Sequence, residues 1–293
     1  MCQRCASAFS SPSSSSPTAA HPAWQPRRAF LLAAAAVAAT PALAQVEVGK
    51  PSMTRTLVPA DALENAAVQQ YGQLLQQAQA KKALAGESNP QLQKLRAIAK
   101  KMIPFAPKWN ERAAGWKWEV NLIGSQQVNA FCMPGGKIAF FTGILDQLKL
   151  GDDEIAMVMG HEMAHALREH ARERLAKTTG TSTALRLGAS VLGLGDWGDL
   201  AARGGSQLLA LKFSRDDETE ADLVGLELAA RAGYDPKASV SLWNKMAQVG
   251  NGKGTPGALS FLSTHPTGPD RIKRLEANVP KVEGLYRAAT AKG

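Results

Sequence analysis

His161-Glu162-Met163-Ala164-His165 sets two histidines four residues apart, with a glutamate beside the first. On a helix, positions i and i+4 share one face, so both imidazoles can reach a single ion. Glu162 lies about 100° further round, too far to share the ion but well placed to hold a water beside it. Residue types and spacing together imply a zinc site with an adjoining general base. The bland alternative is a solvated helix face that happens to carry two histidines.

The surrounding sequence supports a buried helix. Asp152 reads as its cap, with Asp153 and Glu154 in the first turn, where acids suit the helix dipole. Ile155, Val158, Met159, Met163 and Ala166 are apolar at helical spacing. Arg168, Glu169, Arg172, Glu173 and Arg174 mark solvated last turns, which places the helix end near Leu175. His170 reads as an ordinary helix-end histidine, favoured there by the dipole.

Catalytic zinc takes three protein ligands and keeps one position open. A further histidine in the H-E-x-x-H-x-x-G-x-x-H pattern is excluded, because Arg168 and Ala171 stand where glycine and histidine would be. The run Arg215-Asp216-Asp217-Glu218-Thr219-Glu220-Ala221-Asp222 offers carboxylates instead. Glu218 and Asp222 are i and i+4 and share a face, whereas Glu220 is turned away by about 200°.

Around these stretches the pattern is α+β and mostly helical. Helices are expected from Ala60 to about Ala83 and from Asn89-Pro90 to Pro104. Trp116, Trp118, Val120 and Leu122 alternate with polar residues as in a half-buried strand. Val128 to Phe131 is a second strand, Pro134-Gly135-Gly136 a turn and Lys137 to Phe141 a third strand. Thr142 can cap a short helix to Leu150. Residues 178–206, rich in Gly, Thr and Ser, suit a mobile helical hairpin near the site or an interfacial element. Later helices run to Arg231, from Pro236 to Val249, and from Pro269 to about Asn278. No internal repeat is visible.

The 293 residues carry a formal charge of +9 and are 45% hydrophobic, enough for one sizeable core. Arg27-Arg28, an apolar run from Ala29 to Ala39, and Ala42-Leu43-Ala44 before Gln45 form an export signal. That run is too short to span a bilayer. Arg27-Arg28-Ala29-Phe30-Leu31 also has the look of a twin-arginine signal. Residues 1–44 are therefore expected to be a signal peptide, with one domain over 45–293 and its core from about 60 to 280. Removing Arg4, Arg27 and Arg28, with no acid among residues 1–44, lowers the charge from +9 to +6. A surplus spread this thinly admits peripheral association with an anionic membrane but no nucleic-acid interface. Export leaves Cys132 as the sole cysteine, so no intrachain disulfide is expected. No transmembrane segment and no lipid anchor are expected after cleavage.

Several short motifs occur in one order: Asn129-Ala130-Phe131, Pro134-Gly135-Gly136, His161 to His165, Ser214-Arg215, Glu218-x-x-Ala221-Asp222, and Ser263-Thr264-His265-Pro266 with Arg271-Ile272. Over about residues 60–280 the chain resembles the zinc metallopeptidases of peptidase family M-48. These include the heat-shock membrane protease, the CAAX prenyl protease and periplasmic quality-control peptidases. The resemblance implies a zincin-like core and one zinc per chain, bound by His161, His165 and Glu218. It also implies Glu162 as general base and Asp222 as the carboxylate orienting a ligand histidine. His265 would be either a regulatory residue able to shut the site or a turn-packing residue, and Arg271 would lie near substrate. Lys137, Ile138, Ala139 and Phe140 are expected to form the edge strand along the cleft, pairing with extended peptide.

The implied activity is a periplasmic or secreted endopeptidase acting on unfolded or misfolded envelope proteins. One rival is a chaperone-like or binding module with a regulated or vestigial metal site. Another is a zinc-stabilised structural protein, with His265 as fourth ligand.

Overall fold

The computed structural model describes residues 46–183, 208, 211–251, 259–265 and 270–291, all within one compact unit spanning Ala42–Gly293. The expected signal peptide, and the greater part of the expected hairpin at 178–206, lie outside the described residues. In chain order the elements are α1 (Ala60–Ala80), α2 (Pro90–Met102), β1 (Glu119–Ile123), β2 (Ala130–Met133), β3 (Lys137–Phe141) and α3 (Thr142–Leu148). There follow α4 (Asp152–Leu167), α5 (His170–Thr183), α6 (Arg215–Arg231), α7 (Ala238–Asn251), α8 (Leu259–Thr264) and α9 (Arg271–Thr290).

Local chemistry accounts for most boundaries. Asn89 caps α2 by accepting from the N–H groups of Gln91 and Leu92 at 2.9 and 3.1 Å, with Pro90 just inside the helix. Ser214 and Asp217 cap α6 reciprocally: Ser214 Oγ accepts from Asp217 N at 3.2 Å, and Asp217 Oδ2 accepts from Ser214 N at 2.8 Å. The expected Asp152 cap is displaced by one residue. Gly151 is the N-cap of α4, and its N–H donates to Glu154 Oε2 at 2.9 Å. Thr142 does not cap α3 with its side chain, because its hydroxyl is committed to Ser125 across the neighbouring loop.

The sheet corrects one expectation directly. Strand order is β1-β3-β2, with β3 parallel to β1 and antiparallel to β2. Lys137, Ile138, Ala139 and Phe140 are therefore central and buried, and do not form the edge strand. The turn at Gly135 and Gly136, with φ of 83° and 77°, folds β3 back beside β2. Once β1 pairs with the other side, both edges of β3 are taken. The edge facing α4 is β2, and among the described residues no strand pairs with its far side.

Helix α4 sits in the middle of the molecule. From Glu154 to Leu167 every residue is buried, between α6, α2 and α7 and against β2. Its closest neighbour is α6. A Cβ placed on Gly160 would lie 2.7 Å from Gly225 O, and one on Gly225 only 2.6 Å from His161 N. Two glycines thus let the backbones of α4 and α6 touch, and so set the distance between the histidine pair and the carboxylates.

Two helix ends differ from the sequence pattern. The histidine helix stops at Leu167 instead of running to Leu175, because Glu169 takes φ 59° and turns the chain into α5. Helix α9 continues through Pro280 to Thr290. A proline inside a helix costs about 3 kcal/mol. Leu275, Val279, Val282 and Leu285 are buried on both sides of it, at about 1.5–3 kcal/mol each, so burial wins.

Candidate active site

Four ligand-type side chains converge where α4, α6 and the end of α8 meet. Single donor atoms of His161, His165, Glu218 and His265 all lie within 4.8 Å of one another, and all four residues are buried. His161 Nε2 is 3.1 Å from His165 Nε2 and 3.5 Å from Glu218 Oε2. His165 Nε2 is 3.4 Å from Glu218 Oε1. His265 Nδ1 is 3.0 Å from Glu218 Oε1 and 3.3 Å from His161 Nε2. Bonds of about 2.0–2.1 Å to tetrahedral zinc place neighbouring donors roughly 3.3 Å apart, so these spacings fit the ion.

The protonation state fits as well. Burial pushes His161 below the ordinary histidine value and His165 well below it, which leaves neutral imidazoles with a lone pair to offer. Burial would raise Glu218, but its hydrogen bonds to His165 and His265 outweigh this and hold it well below the carboxylate range. His161 Nδ1 donates to Asp222 Oδ1 at 3.0 Å, which fixes its ring and turns Nε2 into the cluster.

Glu162 is 2% exposed, and burial pushes its carboxyl up to about 7. Its Oε1 has no hydrogen-bond partner, and His265 Nε2 lies 3.7 Å from it. A buried carboxylate oxygen left free beside a donor cluster is placed to bond a water or substrate group there. The adjoining cleft is lined by Ala130, Phe131 and Cys132 of β2 together with Glu162, His165 and Phe213. The strand that borders the reacting groups is therefore β2.

His265 is drawn into the cluster from the opposite wall. Phe261 N donates to Val128 O at 3.1 Å and Phe213 N to Thr264 O at 3.2 Å, pinning α8 over the site. The His265 ring stacks on Phe261, with centroids 4.3 Å apart. Arg271 does not face the cleft. It is 7% exposed, stacked 3.3 Å from the Trp243 ring centroid, and paired with Glu218 Oε2 at 2.9 Å and Asp222 Oδ2 at 2.6 Å. A guanidinium held by two carboxylates and an aromatic face positions those carboxylates.

Sequence reasoning misread His170. It is 2% exposed, and its Nδ1 lies 2.9 Å from His165 Nδ1. Nothing in the local sequence marks the turn at Glu169 with glycine, asparagine or proline, so the periodicity gave no sign that the helix breaks there. Glu220, turned away from the ligand face as expected, meets His170 and Arg168 on the other side.

Histidines from one helix, a glutamate from a second and a free carboxylate beside them are an arrangement that could hold a metal ion next to a proton acceptor. A family model described as peptidase family M-48 matches residues 89–279, and the chain belongs to that family. It is similar to the mitochondrial metalloendopeptidase OMA1 of Schizosaccharomyces pombe, with 40% identity over 57% of this chain and 48% of that protein. The OMA1 protein of Arabidopsis thaliana is 42% identical over 56% of this chain and 32% of its own length. Metalloprotease LoiP of Escherichia coli is 27% identical over 60% of this chain and 69% of its own. The chain spans half or less of the first two relatives. No described helix is long and apolar enough to cross a membrane.

Proposed function

We propose that this protein is an exported zinc endopeptidase, with one zinc per chain, that cleaves unfolded or misfolded proteins of the cell envelope. The observation that carries the reading is the buried cluster of His161, His165 and Glu218 with the unpartnered Glu162 oxygen beside it. Zinc held there would supply Lewis acidity, lowering the pKa of water and polarising a peptide carbonyl. Glu162 takes the proton of the attacking water and passes it to the leaving nitrogen. Asp222 keeps Nε2 of His161 turned inward, and Arg271 holds the far oxygen of Glu218, leaving its other oxygen for the ion.

Substrate lies extended along β2. The N–H of Phe141 bonds Asn129 O, so by the antiparallel alternation Phe131 also turns its backbone groups towards β3. Cys132, one residue beyond Phe131 and so at a non-hydrogen-bonded position, turns its N–H and C=O outward, where a peptide backbone can pair with them. Main-chain pairing gives affinity with little side-chain selectivity, which suits unfolded segments.

The mitochondrial names of two relatives belong to those proteins. For this chain, Arg27-Arg28, the apolar run and Ala42-Leu43-Ala44 support export to the periplasm or beyond, with peripheral membrane contact through its net positive charge. A second reading, a regulated or structural metal site, is favoured by His265, whose Nδ1 completes four donors around the cluster.

The test is metal content together with cleavage of casein as an unfolded substrate. Wild type should hold one zinc and lose cleavage on chelation. Glu162→Gln should keep the zinc and lose about 10²–10⁴ in kcat. Full activity in that variant removes Glu162 from the chemistry, and a wild type without zinc removes the reading.

A further inference from the structure

Beyond Asp222, a second set of polar groups, of which His170 and Arg168 are buried and the rest partly so, reaches the cluster on the side of His165. Glu169 adopts φ 59°, a left-handed conformation that costs a non-glycine residue about 1–3 kcal/mol. Its side chain is held there by two cations: Arg55 Nε at 2.7 Å from Oε2 and Arg172 Nη1 at 2.9 Å from Oε1. The consequence of this turn is that His170, the first residue of α5, folds back on α4. Its ring centroid lies 5.0 Å from that of His165, with the planes at 75°.

The proton order along this chain has one solution. His165 Nε2 faces the ligand cluster and must be bare to bind an ion, so its proton sits on Nδ1. His170 Nδ1, 2.9 Å away, is then the acceptor. The remaining His170 proton is on Nε2, which points at Glu220 Oε2 at 3.4 Å. That same oxygen accepts from Arg168 Nε at 2.7 Å, and Arg168 also donates to the Gly49 carbonyl. Every donor in the series meets an acceptor, and Glu220 ends it. The Phe213 ring stacks on His165 at 3.9 Å between centroids and 24° between planes, so the ring is held in plane and at its edge.

We propose that His170 and Glu220 are positioning residues that fix the tautomer and ring direction of His165, as Asp222 does for His161. The turn at Glu169 serves to deliver His170 to this place. The inference rests on the zinc reading of the cluster. Outer partners of this kind are worth roughly 10- to 100-fold in metal affinity.

The experiment compares wild type, His170→Phe, His170→Asn and Glu220→Gln. Zinc affinity is read by competition with a chromophoric chelator, ligand geometry by the visible spectrum of the cobalt-substituted protein, and folding by circular dichroism. His170→Phe should bind zinc about 10- to 100-fold more weakly and shift the cobalt bands. His170→Asn keeps an acceptor oxygen where Nδ1 stood and should recover most of the loss, and Glu220→Gln should fall between. Affinity within twofold of wild type and an unchanged spectrum in His170→Phe overturn the proposal. Equal weakening in the Phe and Asn variants assigns His170 to packing and overturns it too. Should His170→Phe fail to fold, Glu220→Gln decides, and wild-type affinity and spectrum there overturn the relay. A wild type that binds no zinc overturns the zinc reading and the relay together, whereas unchanged variants beside a zinc-binding wild type overturn the relay alone.

Discussion

At the scale of single residues, the site is a balance of buried charges. Glu218 and Asp222 are 3% and 8% exposed, yet each has a cation at hand, because Arg271 pairs with both. Unpaired buried carboxylates would cost several kcal/mol, so the arginine keeps the carboxylates folded inward. His265 has the opposite character. It reaches the donor cluster from a short helix, and its Nε2 stands 3.7 Å from the Glu162 oxygen. In that position it fills the space between the Glu162 oxygen and the donors of His161, His165 and Glu218. His265→Ala should therefore raise kcat/KM on an unfolded substrate, by up to about tenfold if the closed form dominates the population. A fall in activity accompanied by a lower unfolding temperature would assign His265 to structure instead.

At the scale of elements, two contacts govern the chemistry. The first is the crossing of α4 and α6 at Gly160 and Gly225. Alanine in place of glycine normally strengthens a helix by about 1 kcal/mol. At Gly160 the added Cβ would meet the Gly225 carbonyl at 2.7 Å, and backbone cannot move aside as a flexible side chain can. Overpacking of this kind costs about 1–3 kcal/mol, so Gly160→Ala should lower the urea midpoint. It should weaken zinc binding as well, because His161 and Glu218 are forced apart; an unchanged midpoint and affinity would show the crossing to be slack. The second contact is the outer edge of β2. If peptide pairs with the backbone of Cys132, N-methylation of alternate amides in a substrate peptide should raise KM. Each lost hydrogen bond should count for roughly three- to tenfold, from about 0.5–1.5 kcal/mol. Equal KM for the methylated and plain peptides sinks the edge-pairing reading.

At the scale of the whole molecule, the N-terminal arm is tied to the core by a buried acid. Glu227 is fully buried and accepts from Val46 N at 3.1 Å, Lys108 Nζ at 2.7 Å and Arg231 Nε at 2.8 Å. Burial would raise its carboxyl, but these bonds outweigh it and hold the group below its ordinary range. A depressed carboxyl contributes stability that is present above the unfolded value, near pH 4.3, and is lost as pH falls through the folded one. Glu227→Gln should cost about 1.5–3 kcal/mol at pH 7 by weakening the charge-assisted hydrogen bonds that Lys108 and Arg231 donate to it. It should also flatten the fall in urea midpoint between about pH 5 and pH 3. An acid limb identical to wild type would show that other carboxylates carry it.

The sequence by itself determined which residues are the candidate metal ligands of this protein. Helical period alone places His161 beside His165, and Glu218 on one face with Asp222, because 3.6 residues per turn is a local property of the backbone. The start of α2 at Asn89-Pro90 and the turn at Gly135-Gly136 are local in the same sense, so they too were readable. Tertiary structure alone decided which strand lies at the edge, since β3 meets β2 across a local turn but takes β1 on its other side through a longer connection that no local pattern encodes. It decided that α9 runs through Pro280, because an apolar stripe buried against neighbouring helices outweighs a proline's local cost. It also decided that Arg271 braces the carboxylates, and that His170 turns back onto His165. That last contact depends on one left-handed residue, Glu169, whose strain is held by Arg55 and Arg172. Arg55 stands more than a hundred positions from Glu169 in the chain, and no local pattern encodes a partner at that distance.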